Sequence, residues 1–466
     1  MGDNVQNQHD MKKILIAVAQ YKGHLSPTFR LAQALKTKSY QVVYACEDVI
    51  MMQYIREQGF ETVVGINFLF PDFDYGKKGF EGFIERFTSK LTGINTKMAK
   101  ERLVLFEKML QTVQPDLLLL DAFMSYNYML LKGSRPPVSV LQTMISTYKQ
   151  DDIPPITTLS TPAKNILEKL KTQFLWQNQS IHEKLRRLIY FEMSLWKTTK
   201  KIAQSQGIDI VSQARHDKVF HAGLKDVPEI VLSPESFDFS ESEALDFQIH
   251  AGLMIAEQSN VKIDDRLNKI FADKKDQTLI YCSLGTVSGV HYEKYLDFYK
   301  KVIKTFTYQS DFQLILSIGQ EDIKSFGTLP SHIHLFNSVP QREVLKYADV
   351  MITHGGLNSV LESIVAEVPM LVVPLSRRWD QNGNAARVVY HGVGLHYKIQ
   401  SIREKEILKS IKNLTQNQEF KTNIKQLKQK IADEDNLNKV IEVIENQMNN
   451  SRVIVNKPGF SHILTT

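Results

Sequence analysis

The stretch "DVMITHGGLNSVLES", residues 349–363, decides the fold. "DVMI" reads as the end of a buried strand. "THGG" is a tight turn, and "LNSVLES" opens a helix with apolar residues three to four apart. Strand, turn and helix in this order make the repeating unit of a parallel sheet covered on both faces. The polar residues collect at the junction. The first N–H groups of a helix lack intrahelical partners, and the macrodipole adds partial positive charge there. Gly355 and Gly356 let a ligand approach the backbone, Asn358 and Ser359 add side-chain donors, and His354 ends the strand beside them. Such a junction suits an anion of the size of a diphosphate. Glu362 shares a face with Asn358 one turn on; its carboxylate would repel phosphate at contact and suits the hydroxyls of a ribose.

The same unit recurs on either side. "TLIYCSLG" (278–285), "FQLILSIG" (312–319), "IHLFNSV" (333–339) and "PMLVVPL" (369–375) read as strands of the same domain. Ser283 and Thr286 flank Gly285 at a strand end and offer a second phosphate contact. "WDQNGNAARV" (379–388) follows the last of these strands, and Asp380 with Gln381 suits the hydroxyls of a sugar. Upstream, "ILIAVA" (14–19), "QVVYAC" (41–46), "TVVG" (62–65), "DLLLL" (116–120) and "PVSVL" (137–141) repeat the alternation. A chain of 466 residues is too long for one ordinary core. The expectation is therefore two doubly wound α/β domains: residues 11–252, a linker at 253–275, and residues 276–447. The acidic, turn-rich stretch 229–252 is read as the end of the first domain. Ligands of such sheets sit outside the carboxyl ends of the strands, here in a cleft between the domains.

In the first domain, "QYKGHLSP" (20–27) joins the first strand to its helix, with Ser26 expected at the N-cap and His24 just ahead of it. The helix end would hold the His24 imidazole neutral and basic. Asp121 ends another strand and would orient it, as a carboxylate orients the base of a catalytic triad. No GxSxG supplies a nucleophile beside them. The pair suggests deprotonation of a bound acceptor.

Composition excludes several classes. No GxxxxGK[ST] and no post-strand GxGxxG occurs, which counts against phosphoryl transfer and dinucleotide redox chemistry. Cys46 and Cys282 lie far apart in apolar strands and read as buried free thiols, without metal-ligand spacing. The net charge of +6 is mild and does not demand nucleic acid. The opening "MGDNVQNQHDMKK" has no signal-peptide pattern and no run has membrane-spanning length, so a cytoplasmic location is the expectation. Residues 163–201 carry nine Lys/Arg against three Glu, interleaved with Trp176, Phe191 and Trp196. They read as ordinary domain helices with a solvated basic face, or as an acceptor flap or an element peripheral to the inner membrane face.

"THGGLNSVLESIVAEVPMLVVPL" with "DQNGNAARVVYHGVG" resembles the nucleotide-sugar signature of glycosyltransferase family 1, the UDP-glycosyltransferases, in their bacterial, natural-product type. "GHLSPTFRLAQAL" is similar to that family's N-terminal His motif, and "VPQREVLKYADV" to the segment before the signature. The resemblance implies the GT-B architecture, with His24 as base and Asp121 as its partner. It implies Ser283, His354, Asn358 and Ser359 on the diphosphate, Glu362 on the ribose, Val339 and Gln341 near base and ribose, and Asp380 and Gln381 on the sugar. It implies an inverting displacement without a metal or other cofactor, from a UDP-sugar, with UDP-glucose as the expected donor. The region "FNSVPQ" lacks the Trp of plant members, which leaves dTDP-sugars open. The expected acceptor is a small hydrophobic molecule met by Phe68, Phe70, Phe73, Phe83, Phe123, Met124 and Tyr126. A membrane lipid or carotenoid acceptor, a nucleotide-sugar epimerase and a catalytically silent binder are the competing readings.

Overall fold

The structure is a computed structural model. It describes residues 11–69, 84, 87–88, 92–133, 135–189, 194–257, 263–285, 292–319, 322–376 and 379–454. Thr286, Phe70, Phe73, Phe83 and Phe191 lie outside them.

The first sheet has seven parallel strands: β1 (Lys13–Ala17), β2 (Gln41–Cys46), β3 (Glu61–Val64), β4 (Leu117–Asp121), β5 (Val138–Gln142), β6 (Glu229–Val231) and β7 (Gln248–His250). Their spatial order is β3-β2-β1-β4-β5-β6-β7. The central strands read as unbroken apolar runs, KILIA and LLLLD, because helices cover both faces and every residue but Lys13 is buried. The second sheet has six parallel strands: β8 (Thr278–Ser283), β9 (Phe312–Ser317), β10 (Ile333–Phe336), β11 (Val350–Thr353), β12 (Met370–Val372) and β13 (Gly394–His396). Their order is β10-β9-β8-β11-β12-β13. Two parallel α/β domains of this kind form the GT-B architecture.

Each sheet reverses its winding at one place, between β1 and β4 in the first and between β8 and β11 in the second. A crevice opens at such a switch point. The strand ends and the turns at the two switch points carry His24, Asp121, Ser283 and His354.

Residues 229–252 contribute to the first sheet β6, which pairs with β5, and β7, which pairs with β6 at the sheet edge. Two features depart from the expected boundaries. The helix Asp265–Asp273 sits within the expected linker, yet Leu267 and Ile270 join the second domain's core. The last helix, Leu437–Ile454, packs Val440, Ile441, Ile444 and Met448 into the first domain's core with Ile14, Ile16 and Leu119. The chain thus crosses back at its end, and a boundary at 447 cuts through a helix that belongs with the first sheet. The two cysteines are free and buried. Burial pushes the Cys46 thiol up to about 11 and the Cys282 thiol up as well, so neither is a ready nucleophile.

Candidate active site

β1 ends at Ala17, and the chain turns through a single helical turn, Lys22–Leu25, before the longer helix Thr28–Thr37. His24 lies inside that turn rather than ahead of a cap. Ser26 caps nothing: Pro27 holds the N-cap position, and the Ser26 hydroxyl meets the Tyr54 hydroxyl at 3.0 Å. Asp121 closes β4, the neighbour of β1 in the sheet, so both side chains reach the same spot. His24 Nδ1 stands 2.7 Å from Asp121 Oδ2. The carboxylate is fully buried and also accepts the N–H groups of Ala19 (3.1 Å) and Phe123 (2.9 Å). Burial alone would raise its pKa. The His24 charge and these hydrogen bonds outweigh it and hold Asp121 below the usual carboxylate range. An ionised carboxylate only accepts, so Nδ1 carries the proton and Nε2 the lone pair. Thr143, just past β5, places its hydroxyl 2.8 Å from the same Nδ1.

Burial lowers the His24 pKa, but the Asp121 charge and hydrogen bond outweigh it, with a further contribution from Asp380. The net shift is upward from 6.5. The expected depression by a helix end does not occur, because a buried carboxylate at contact distance is stronger than a partial charge on one short turn.

In the second domain the helix Leu357–Val365 follows β11, with Gly356 at its N-cap. Gly355 has φ +87°, a conformation L side chains rarely adopt. The His354 ring fills the space between Gly285 and Gly356. A Cβ on Gly285 would come within 2.7 Å of His354 Cε1, and one on Gly356 within 2.8 Å of Nε2. Burial drives the His354 pKa down to about 4. His354 is therefore a neutral imidazole, and its buried Nδ1 has no hydrogen-bond partner in the protein. A buried polar atom ordinarily has a partner, and this one lies beside a helix N-terminus, whose free N–H groups favour an anion. Ser283 is buried at the end of β8, in register with Thr353 of β11.

The structure brings Gln341, Ser359 and Glu362 together. Gln341 Nε2 donates to Glu362 Oε2 (2.6 Å) and to Ser359 Oγ (3.2 Å), while its carbonyl accepts from the Tyr281 hydroxyl (3.3 Å). Burial raises the Glu362 pKa, opposed by Gln341 and Arg342. Val339 packs against the core beside them. Asn358 reaches across the cleft: its Nδ2 donates to the Gly23 carbonyl (3.1 Å), one residue from the base. Asp380 precedes the helix Gln381–Tyr390 and accepts from Asn384 Nδ2 (2.9 Å), which also donates to the Gly355 carbonyl (2.9 Å). Asn384 thus ties the start of its helix to the turn after β11. The Gln381 carbonyl oxygen is taken by the N–H groups of Leu375 (2.8 Å) and Ser376 (3.0 Å), so it shapes the loop and leaves only the amide N–H groups to offer a sugar.

An aromatic wall stands against the base. Phe123 meets His24 edge-on at 5.5 Å between ring centres, His221 edge-on at 4.8 Å and Phe220 stacked at 5.8 Å. Trp379 comes from the second domain and touches both Phe123 (5.9 Å) and Phe220 (5.6 Å). Met124 and Tyr126 are buried in the first core, and Phe68 packs against it, so these three shape the wall from behind. Thr143, Phe220 and His221 were not found in the sequence. Thr143 follows a strand's carboxyl end, a place the fold itself marks as functional. Phe220 and His221 sit in a segment with no motif, held by the buried pair of Lys218 Nζ and Glu229 Oε1 at 3.1 Å.

The family model described as "UDP-glucoronosyl and UDP-glucosyl transferase" matches residues 231–440. The chain is 25% identical over 452 residues to the NDP-glycosyltransferase YjiC of Bacillus subtilis (strain 168), covering 95% of this chain and all of that protein. It is 36% identical over 118 residues to the zeaxanthin glucosyltransferase of Pantoea ananas, a quarter of each chain (25% and 26%). Among solved structures, the glycotransferase of kitacinnamycin superposes with a TM-score of 0.68 at 19% identity, covering 94% of this chain and 100% of that one. The glycosyltransferase SnogD from Streptomyces nogalater gives a TM-score of 0.60 at 16% identity over 94% and 100%. The signature helix, the two-sheet fold and these relatives agree: residues 231–440 match the UDP-glycosyltransferase family, and the chain has the fold of the GT-B glycosyltransferases.

Proposed function

We propose that this enzyme moves a hexose, with glucose the leading candidate, from a UDP-sugar to a hydroxyl of a small hydrophobic acceptor, inverting the anomeric centre. The observation that carries the reading is the His24–Asp121 contact of 2.7 Å, with Asp380 of the other domain close enough to act electrostatically on the same imidazole. His24 Nε2 takes the acceptor's hydroxyl proton, and Asp121 stabilises the imidazolium that forms. The freed oxygen attacks the anomeric carbon in line. The bond from that carbon to the diphosphate oxygen breaks, and the diphosphate departs toward the N–H groups that open the helix Leu357–Val365. Those donors are fixed before charge develops, which is where such stabilisation is worth most. Glu362 and Gln341 hold the ribose, and Asp380 the transferred sugar. The wall of Phe123, Phe220 and Trp379 supports an apolar acceptor beside the base. The mechanism needs no metal, so turnover should survive EDTA.

The test is sugar transfer from UDP-glucose and dTDP-glucose to phenolic, macrolide, sterol and lipid acceptors, with the anomeric configuration of the product read by NMR. A β-linked product from the α-linked donor supports the reading. Retention of configuration, or isomerised sugar nucleotide formed without any acceptor, refutes it and favours another mechanism or the epimerase. A lipid-soluble acceptor such as a carotenoid is the second reading; the match to the zeaxanthin enzyme favours it, and lipid acceptors in the same panel decide it.

A further inference from the structure

The helix Ile166–Ile189 has two opposed faces. Thr172 is buried, Trp176 donates its indole N–H to the Ile153 carbonyl (2.9 Å), and Gln179 accepts from the Thr157 hydroxyl (3.0 Å). These three residues attach the helix to the molecule. At about 100° per residue they lie about 180° around the helix from Leu167, Leu170, Phe174, Ile181, Leu185 and Leu188. Those six fall within an arc of about 60°, and each is between 50% and 73% exposed. An apolar stripe of six large side chains along a 24-residue helix, facing away from the body, is far from the scattered exposed apolar residues of an ordinary surface.

We propose that this stripe is a docking surface for an anionic lipid bilayer, the helix lying in the plane of the interface. Charge selects this occupant. Lys164, Lys171 and Lys184 are exposed, and Lys171 and Lys184 border the stripe on opposite sides. Their stems can run along the acyl chains while the ammonium groups reach the phosphates. A second copy fits less well. The register of Leu167, Leu170, Phe174, Ile181 and Leu188 would continue a paired-helix seam through positions 177 and 184, which hold Gln and Lys.

The helix is coupled to the site. It grips residues 153 and 157; the Thr157 carbonyl in turn accepts from Asn382 Nδ2 (2.7 Å), and Ile156 packs on Gly383. Docking would thus rest directly on the segment behind the start of the helix Gln381–Tyr390. The proposal concerns where the molecule sits and holds whatever sugar or acceptor is used. No described helix is long and apolar enough to cross a membrane, so the mode is adsorption.

The experiment is co-sedimentation of the full chain with vesicles of phosphatidylcholine alone and of phosphatidylcholine with phosphatidylglycerol, at low and physiological salt, with the solution mass measured without lipid. One variant carries L170Q, F174Q and L185Q, and a second carries K171E and K184E. All five positions are exposed, and matching thermal melts would confirm intact folds. The proposal expects the parent to pellet with anionic vesicles, at least tenfold less of the apolar-stripe variant to do so, and the charge-reversed variant to lose the preference for anionic lipid. It is overturned if the parent ignores anionic vesicles, or if the stripe variant pellets equally. It is also overturned if the parent is a dimer without lipid that the stripe variant dissolves, which would make the face an interface between copies.

Discussion

His24 touches Asp121, Thr143 and Phe123, and each contact constrains its chemistry differently. Asp121 fixes the tautomer and lifts the pKa above 6.5. A base must be neutral to accept a proton, so kcat/KM should fall as pH drops through that raised pKa. Replacing Asp121 by Asn removes the charge that lifts it. The acid limb of the pH profile should then move to lower pH while kcat falls about 10²–10⁴-fold, since the imidazolium loses its counter-charge. An acid limb that stays in place would show that Asp121 does not set the base. Asp121 and His24 were legible in the sequence because strand ends in a parallel sheet advertise themselves. The sign of the pKa shift was not: it depends on a contact between residues 97 apart, which no local pattern encodes.

At the scale of elements, the proposal places donor binding on the turn between β11 and its helix. Its reading from sequence held for the element itself, because a buried apolar run, two glycines and then apolar residues three to four apart mark strand, turn and helix in turn. Gly356 has φ −62°, which any residue can adopt, so Gly356→Ala tests space rather than strain. Its Cβ would press on the His354 ring. UDP affinity should fall about tenfold, the value of about one hydrogen bond, when measured by calorimetry. Gln341→Ala tests the neighbouring segment. Gln341 holds the Glu362 pKa down against burial, so its loss should raise that pKa further. UDP binding should then weaken increasingly as pH is lowered, and a pH-independent loss would exclude Glu362 from the effect. Strands β6 and β7 escaped the sequence reading because they are three residues each, in acidic surroundings, and are held by tertiary pairing rather than by propensity. Phe220 and His221 escaped it because only the fold brings them to Phe123.

Across the whole molecule, the two domains are fastened by a buried ion pair. Arg387 Nε donates to Asp238 Oδ1 at 2.9 Å and Nη2 to the same oxygen at 2.5 Å, and the guanidinium lies over the Phe239 ring. Burial depresses the Arg387 pKa, and Asp238 opposes it. Arg387→Met would leave Asp238 buried and unpaired, so the melt should register a loss of about 3–5 kcal/mol. Restoring neutrality with Asp238→Asn should recover part of it. Little of this was readable beforehand: the sequence announces two α/β units, but not which residues bridge them, nor that the last helix returns to the first. The same closure sets Asp380 and Trp379 beside His24, Phe123 and Phe220, so the proposed reaction centre draws on both domains.

The most direct test of the central claim is acceptor-dependent release of UDP from UDP-glucose by the parent and by His24→Ala, with UDP binding measured on both. The account predicts equal UDP affinity and a rate at least about a hundredfold lower in the variant. A variant that binds UDP and turns over like the parent would remove His24 from the chemistry and contradict it.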